Sequence, residues 1–191
     1  MDLYPGVEIS INVSNKNNVI QELVNNISDF SLVSVLPEDL KISKVELLQN
    51  KLYLVGSSRA SRKVNKPSDL KNVPLLFREE GSATRSIMQR YLDENNIKVG
   101  KSMELVSNEA VKQAVNAGLG YSIMPLIGLK SVLSNDEMKI YPLKGLPILT
   151  KWNLIYNRDK KLTPAREELV NFMEQNKENL ASEHFGWALD I

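Results

Sequence analysis

The residues best suited to chemistry are small hydroxyls. Ser82 and Thr84 sit in Arg78-Glu79-Glu80-Gly81-Ser82-Ala83-Thr84-Arg85, between the apolar run Val73 to Phe77 and a helical pattern. Where a strand becomes a helix, the first N–H groups have no intrahelical partner. Here those are the groups of Ala83, Thr84 and Arg85, and with the helix dipole they favour an anion. The hydroxyls of Ser82 and Thr84 add hydrogen bonds without adding charge. Pattern alone favours a plainer role, Ser82 as an N-cap worth ~1 kcal/mol. Ser107-Asn108 repeats the arrangement before the next helix, and capping and ligand contact weigh equally there.

Other chemistry finds little material. Glu79 and Glu80 are adjacent, so on a strand they point to opposite faces and cannot share an acid–base site; a solvated or ion-paired role suits them better. Arg85, one turn into the helix, can pair with a carboxylate or with an anionic ligand, the former being commoner. Gly118-Leu119-Gly120 follows a helix instead of opening one, so it is not a dinucleotide loop. The chain has no cysteine, which removes disulfides and thiolate metal sites. Its one histidine, His184, lies in the C-terminal stretch with Phe185 and Trp187, aromatics better suited to packing than to stacking on a cofactor. No catalytic residue, metal site or cofactor is expected.

Composition narrows the class. The 191 residues suffice for one domain or two small lobes, with 42% hydrophobic residues for a core. Lys plus Arg number 24 against 23 Asp plus Glu, a net charge of +1 without the basic excess of a nucleic-acid module. No apolar run reaches membrane-spanning length. The start, Met-Asp-Leu-Tyr-Pro-Gly-Val-Glu-Ile-Ser, lacks the basic and apolar regions of a signal peptide, so a cytoplasmic location is expected.

The elements that must position these residues follow from periodicity. Strands are expected at 7–13, 30–35, 45–58 (one or two), 73–79, 102–107, 121–125, 139–143 and 148–157. Helices carry Val19, Ile20, Leu23, Val24 and Ile27; then Ile87, Met88, Tyr91 and Leu92; then Ala110, Val111, Ala114 and Val115. Another is expected near 126–133, and a last one begins at Thr163-Pro164 with an N-cap and an N1 proline. Gly118 and Gly120 are expected to need positive φ. Alternating strands and helices imply parallel sheets. The polar, proline-containing stretch 58–70 reads as a crossing between two α/β lobes.

Four segments together resemble the effector-binding domain of LysR-type transcriptional regulators. They are Tyr4 to Val35, Leu47 to Ser58, Asp69 to Arg85, and Ser107 to Pro125, the last with the pattern E-A-V-x-x-x-V-x-A-G-L-G-x-x-x-x-P. The resemblance covers nearly the whole chain. It implies an α/β fold of two Rossmann-like lobes with a central cleft, periplasmic-binding-protein-like (type II), holding a small effector. Lobe I would comprise 1–70 plus 148–191 and lobe II 74–144. It raises Ser82 and Thr84 above capping, puts Ser122 and Pro125 near the cleft, and has Ser57, with Ser58, face the cleft from the other lobe. A winged helix-turn-helix would bind DNA in the intact regulator and is absent here. The family's first strand and helix, before Tyr4, are also expected to be missing.

The leading expectation is therefore a sensor of a small, anionic metabolite in a transcription factor. An extracytoplasmic solute-binding protein and a prephenate dehydratase-like enzyme are the alternatives. The chain itself is expected neither to bind DNA nor to catalyse a reaction. A homodimer is expected, with 7–13 and 30–35 closing on each other or accepting a strand from a partner molecule.

Overall fold

The computed structural model describes residues 6–189. Each helix forms where apolar residues recur at three and four positions. Helix α1, Lys16–Val24, is capped by Asn15, whose side chain accepts from the Asn18 N–H at 3.0 Å. Strand β1, Ser31–Val33, follows, and then β2, Ile42–Ser57, a single strand of 16 residues. A 3₁₀ turn over Pro67–Asn72 leads into β3, Pro74–Arg78. The alternation continues as α2, Ala83–Glu94, β4, Lys101–Leu105, and α3, Asn108–Asn116. Strand β5, Ser122–Pro125, helix α4, Lys130–Ser134, and β6, Met138–Tyr141, come next. Strand β7, Ile148–Asn157, and the long helix α5, Pro164–Leu189, complete the chain.

The chain divides into two compact units. Among the described residues, the first comprises 6–48 and 151–189, the second 49–150. Both boundaries fall inside strands, β2 and β7, and the polar stretch 58–70 belongs to the second unit.

In the first unit β1 pairs antiparallel with β7, Leu32 opposite Leu154. Leu23, Val33 and Ile155 form one core cluster, and Val45, Leu154 and Val170 form another. Residues 7–15, expected to contain a strand, hold none. Ile9, Ile11 and Val13 are 62%, 82% and 90% exposed. Alternation fixes which face a strand would bury, but the ladder makes the strand, and no described residue supplies a ladder for this one.

The second unit is built on a parallel core. β3 pairs with β4 in parallel, Pro74 opposite Lys101 and Arg78 opposite Leu105. Leu75 also bridges Tyr121 in parallel, setting the start of β5 on the other side of β3. The remaining strands correct the all-parallel expectation. β2 runs antiparallel to both β5 and β6, Leu52 facing Pro125 and Ser57 facing Met138. Only β3, β4 and β5 meet in parallel, with helices α2 and α3 as the crossovers between them. Val111, Ala114 and Val115 of α3 face Leu76, Val55 and Met124 in the core. Each of the Val, Leu and Met side chains contributes roughly 1.5–3 kcal/mol on burial.

The two glycines after α3 serve different ends. Gly118 takes φ +82° as expected. Gly120 is instead required by proximity, since a Cβ there would stand 2.5 Å from the Pro74 carbonyl oxygen.

Candidate functional site

The parallel order β4–β3–β5 brings the carboxyl ends of three strands to one edge of the second unit. Helices α2 and α3 begin at that edge, directly beyond β3 and β4. Two helix N-termini therefore open side by side, each with unpaired N–H groups and about half a positive charge.

The two starts are finished differently. Ser107 caps α3, its Oγ accepting from the Ala110 N–H at 3.0 Å. Ser82 occupies the N-cap position of α2 and is buried, yet its side chain makes no capping hydrogen bond. Its carbonyl instead accepts from the N–H and the hydroxyl of Ser86, at 3.1 and 3.2 Å. The capping role expected of the Ser82 hydroxyl is thus not the one it performs. Gly81, at φ +84°, makes the turn that orients this start. Thr84 is half-buried in the first turn.

Arg78, at the end of β3, organises the edge and was not singled out from sequence. It is only 9% exposed. Its guanidinium donates to both Glu79 carboxylate oxygens, Nε to Oε2 at 2.7 Å and Nη2 to Oε1 at 2.9 Å. Nη1 donates to Asn108 Oδ1 at 2.7 Å, tying the end of β3 to the start of α3. Glu79 lies just past the strand, so its side chain can fold back onto its neighbour. Arg85 donates to the Arg78 carbonyl at 2.7 Å and to Glu104 at 2.6 Å, with its guanidinium 5.5 Å from the Phe77 ring centre. A basic residue closing an apolar strand run was the available signal for Arg78, because an arginine buried there must be paired.

The sequence-derived residues distribute unevenly around this edge. Ser82, Thr84, Ser107 and Asn108 lie on it, and Pro125, buried at the end of β5, shares it. Ser122 lies one strand-length back, buried, with its hydroxyl donating to the Leu76 carbonyl at 2.7 Å. Ser57 is carried to the opposite edge, because β2 runs antiparallel to β5. There its Oγ accepts from the Arg59 N–H at 3.3 Å, and the residue belongs to the same unit as the others.

The same antiparallel register brings Asn50 to the working edge, two residues beyond Leu52, the partner of Pro125. Asn50 is 1% exposed. Its Nδ2 donates to Thr150 Oγ1 at 2.9 Å, while its Oδ1 has no hydrogen-bond partner. An unpartnered buried acceptor costs about 1–3 kcal/mol unless a water or a ligand group meets it. Flanked by Gln49 and Lys51, it carried no signal in the sequence that set it apart.

Residues 1–178 match the family described as the LysR substrate binding domain. The chain belongs to the LysR substrate-binding-domain family. Its fold is thus the type II periplasmic-binding-like α/β fold, and its place in the family is that of an effector-binding domain. This LysR domain is 32% identical over 173 residues to the HTH-type transcriptional activator CmpR of Synechocystis sp., covering 89% of this chain and 57% of that protein. It is 30% identical over 173 residues to the RuBisCO operon transcriptional regulator of Allochromatium vinosum, again 89% and 57%. The chain thus spans a little over half the length of these relatives. Among solved structures, the Synechocystis CcmR regulatory domain in complex with 2-PG superposes with a TM-score of 0.84 at 26% identity, covering 93% of this chain and 87% of that one. The effector binding domain of QuiR in complex with shikimate, at 19% identity and TM-score 0.74, covers 87% and 79% and shares the fold. No helix of this LysR domain, among the described residues, is long and apolar enough to cross a membrane. Nor do the described residues hold a cluster of three or more His, Cys, Asp or Glu suited to a metal ion.

Proposed function

We propose that the domain senses a small anionic effector and that, within a longer LysR-type regulator, effector binding controls a DNA-binding winged helix-turn-helix. The protein works in the cytoplasm as a homodimer and is a sensor without catalytic activity. The paired N-termini of α2 and α3 at the carboxyl ends of β3 and β4 carry this reading. Arg78 does not supply the charge for the anion, because Glu79 already neutralises it. The attraction comes from main-chain N–H groups and helix dipoles, which bind an anion without a buried cation to desolvate. Thr84, Ser82 and Asn108 add polar contacts, Ser107 holds α3 in place, and Ser122 and Pro125 form the floor. Ser57 takes part only if the effector extends well beyond this edge. Asn50 offers an acceptor for a hydroxyl group on the same ligand.

The relative CcmR, solved with 2-PG, makes that compound the first effector to test. Isothermal titration should show saturable 2-PG binding by the wild-type chain. Thr84→Ala should weaken it roughly tenfold to a hundredfold, the loss of one hydrogen bond to a charged group at about 1.5–3 kcal/mol. Equal affinity for the two proteins would remove Thr84 from the site. No heat from 2-PG, but saturable heat from another small anion, would change the effector and keep the site.

A further inference from the structure

The opposite edge of the second unit holds a cavity of about 400 Å³. It lies where β3 and β4 begin, lined by Pro74 and Lys101, with Tyr121 beside them. Arg62 and Lys71 also line it, and among the described residues no carboxylate does. In a chain with 24 basic and 23 acidic side chains, three cations around one hollow are a local excess, opposed only from outside the lining by Asp69, whose charge acts on Lys71.

The fold holds these cations together. The Tyr121 hydroxyl donates to the Arg62 carbonyl, and Arg62 Nη1 donates to the Asn72 carbonyl. Gly100 lets the chain before Lys101 lie against Lys71, for a Cβ there would stand 2.8 Å from the Lys71 carbonyl oxygen. Asp69, on the same turn as Lys71, has its carboxylate engaged by the N–H groups of Asn65 and Lys66, at 3.0 and 3.2 Å. Among the described residues neither Lys71 nor Lys101 forms a salt bridge. Tyr121 adds no negative charge, since burial first, and then Tyr141, push its hydroxyl up to about 12. Helix α3 ends nearby at Asn116, two residues before Gly118, and its C-terminus contributes about half a negative charge. Three full positive charges outweigh it. Cations converging on one hollow raise its positive potential and attract a ligand of opposite sign.

We infer that this cavity is a second anion site, taking a phosphorylated small molecule with at least two negative groups. Its volume lies in the range of small-molecule sites, about 300–1,000 Å³. It lies at the far end of β3 and β4 from the paired helix N-termini, so the two sites can be occupied together. β3 joins them directly, from Pro74 at one end to Arg78 at the other.

Amide-resolved NMR titration of the wild-type chain with inorganic pyrophosphate, at constant ionic strength, tests the inference. The signals of Lys71, Gly100, Lys101, Gly118 and Gly120 should shift together along one saturation curve. Lys71→Gln with Lys101→Gln, both exposed, should raise the dissociation constant at this edge at least tenfold and keep the spectrum of a folded protein. Thr84→Ala should leave that constant unchanged. Linear, non-saturating shifts matched by sodium chloride would overturn the inference. So would shifts confined to residues 78–85 and 107–108, or an unchanged constant in the double variant.

Discussion

Gly120→Ala is the sharpest probe of how the second unit holds its strands. The added methyl would stand 2.5 Å from the Pro74 oxygen, 3.1 Å from its carbon and 3.2 Å from Leu76 Cδ2. The first two are backbone atoms in a strand and cannot swing aside as a side-chain end would. The Tyr121 N–H donates to that same Pro74 oxygen at 3.0 Å, and Tyr121 returns a carbonyl to the Leu76 N–H at 2.8 Å. Relieving the clash means separating β3 from β5 and stretching both bonds. Overpacking costs about 1–3 kcal/mol, and two weakened hydrogen bonds add about 1 kcal/mol each. The expected loss is therefore about 3–5 kcal/mol, read as a lower urea midpoint at unchanged slope. Gly118→Ala is the matched control. Its φ of +82° penalises a side chain, but nothing lies within 4 Å of the added methyl. Backbone strain alone costs about 1–2 kcal/mol. A Gly120→Ala loss no larger than that of Gly118→Ala would refute the close-approach reasoning.

Arg78→Met should cost about 3–5 kcal/mol, because it removes the guanidinium that bonds both the part-buried Glu79 carboxylate and Asn108; a urea midpoint within error of wild type would show that the pair carries no stability. Glu46 is held down to about 2 by hydrogen bonds from Lys151 and then Lys44, so its stabilising contribution is present above about 4.5 and lost as pH falls towards 2. Carboxyl NMR titration checks this, and Lys151→Gln should bring the midpoint back up. Replacing Ile9, Ile11 and Val13 together by Ser should change stability by no more than about 1 kcal/mol, since all three are exposed. A larger loss on unfolding, or a fall in sedimenting mass, would show that this segment is covered by a second molecule.

What the sequence disclosed was mostly local. The spacing of Val111, Ala114 and Val115 announces α3 and the face it buries, and the alternation of β7 marks its limits, 148–157. Where the chain passes from one unit to the other is not written in this way. Both passages occur inside continuous strands, without the polar punctuation that makes 58–70 look like a crossing. Residues 7–13 have the strand pattern, but a ladder depends on a partner that no local pattern names. Ser82 and Ser107 look alike in sequence, a hydroxyl before a helix, yet only Ser107 caps. Tertiary surroundings decide that difference. Arg78 and Asn50 gain their importance from burial, which their polar neighbours, Glu79 and Glu80 or Gln49 and Lys51, conceal in the sequence.

The working edge of the second unit is made largely of main chain, and this bears on how such domains diverge. No point substitution deletes the first N–H groups of α2 and α3, proline apart. If the proposed site is the one used, attraction for an anion would persist while most of the sequence drifts. Discrimination between one anion and another would then fall to a few replaceable side chains at the rim, Thr84, Asn108 and Asn50 among them. A lineage could then exchange one metabolic signal for another through a handful of substitutions without passing through a form that senses nothing.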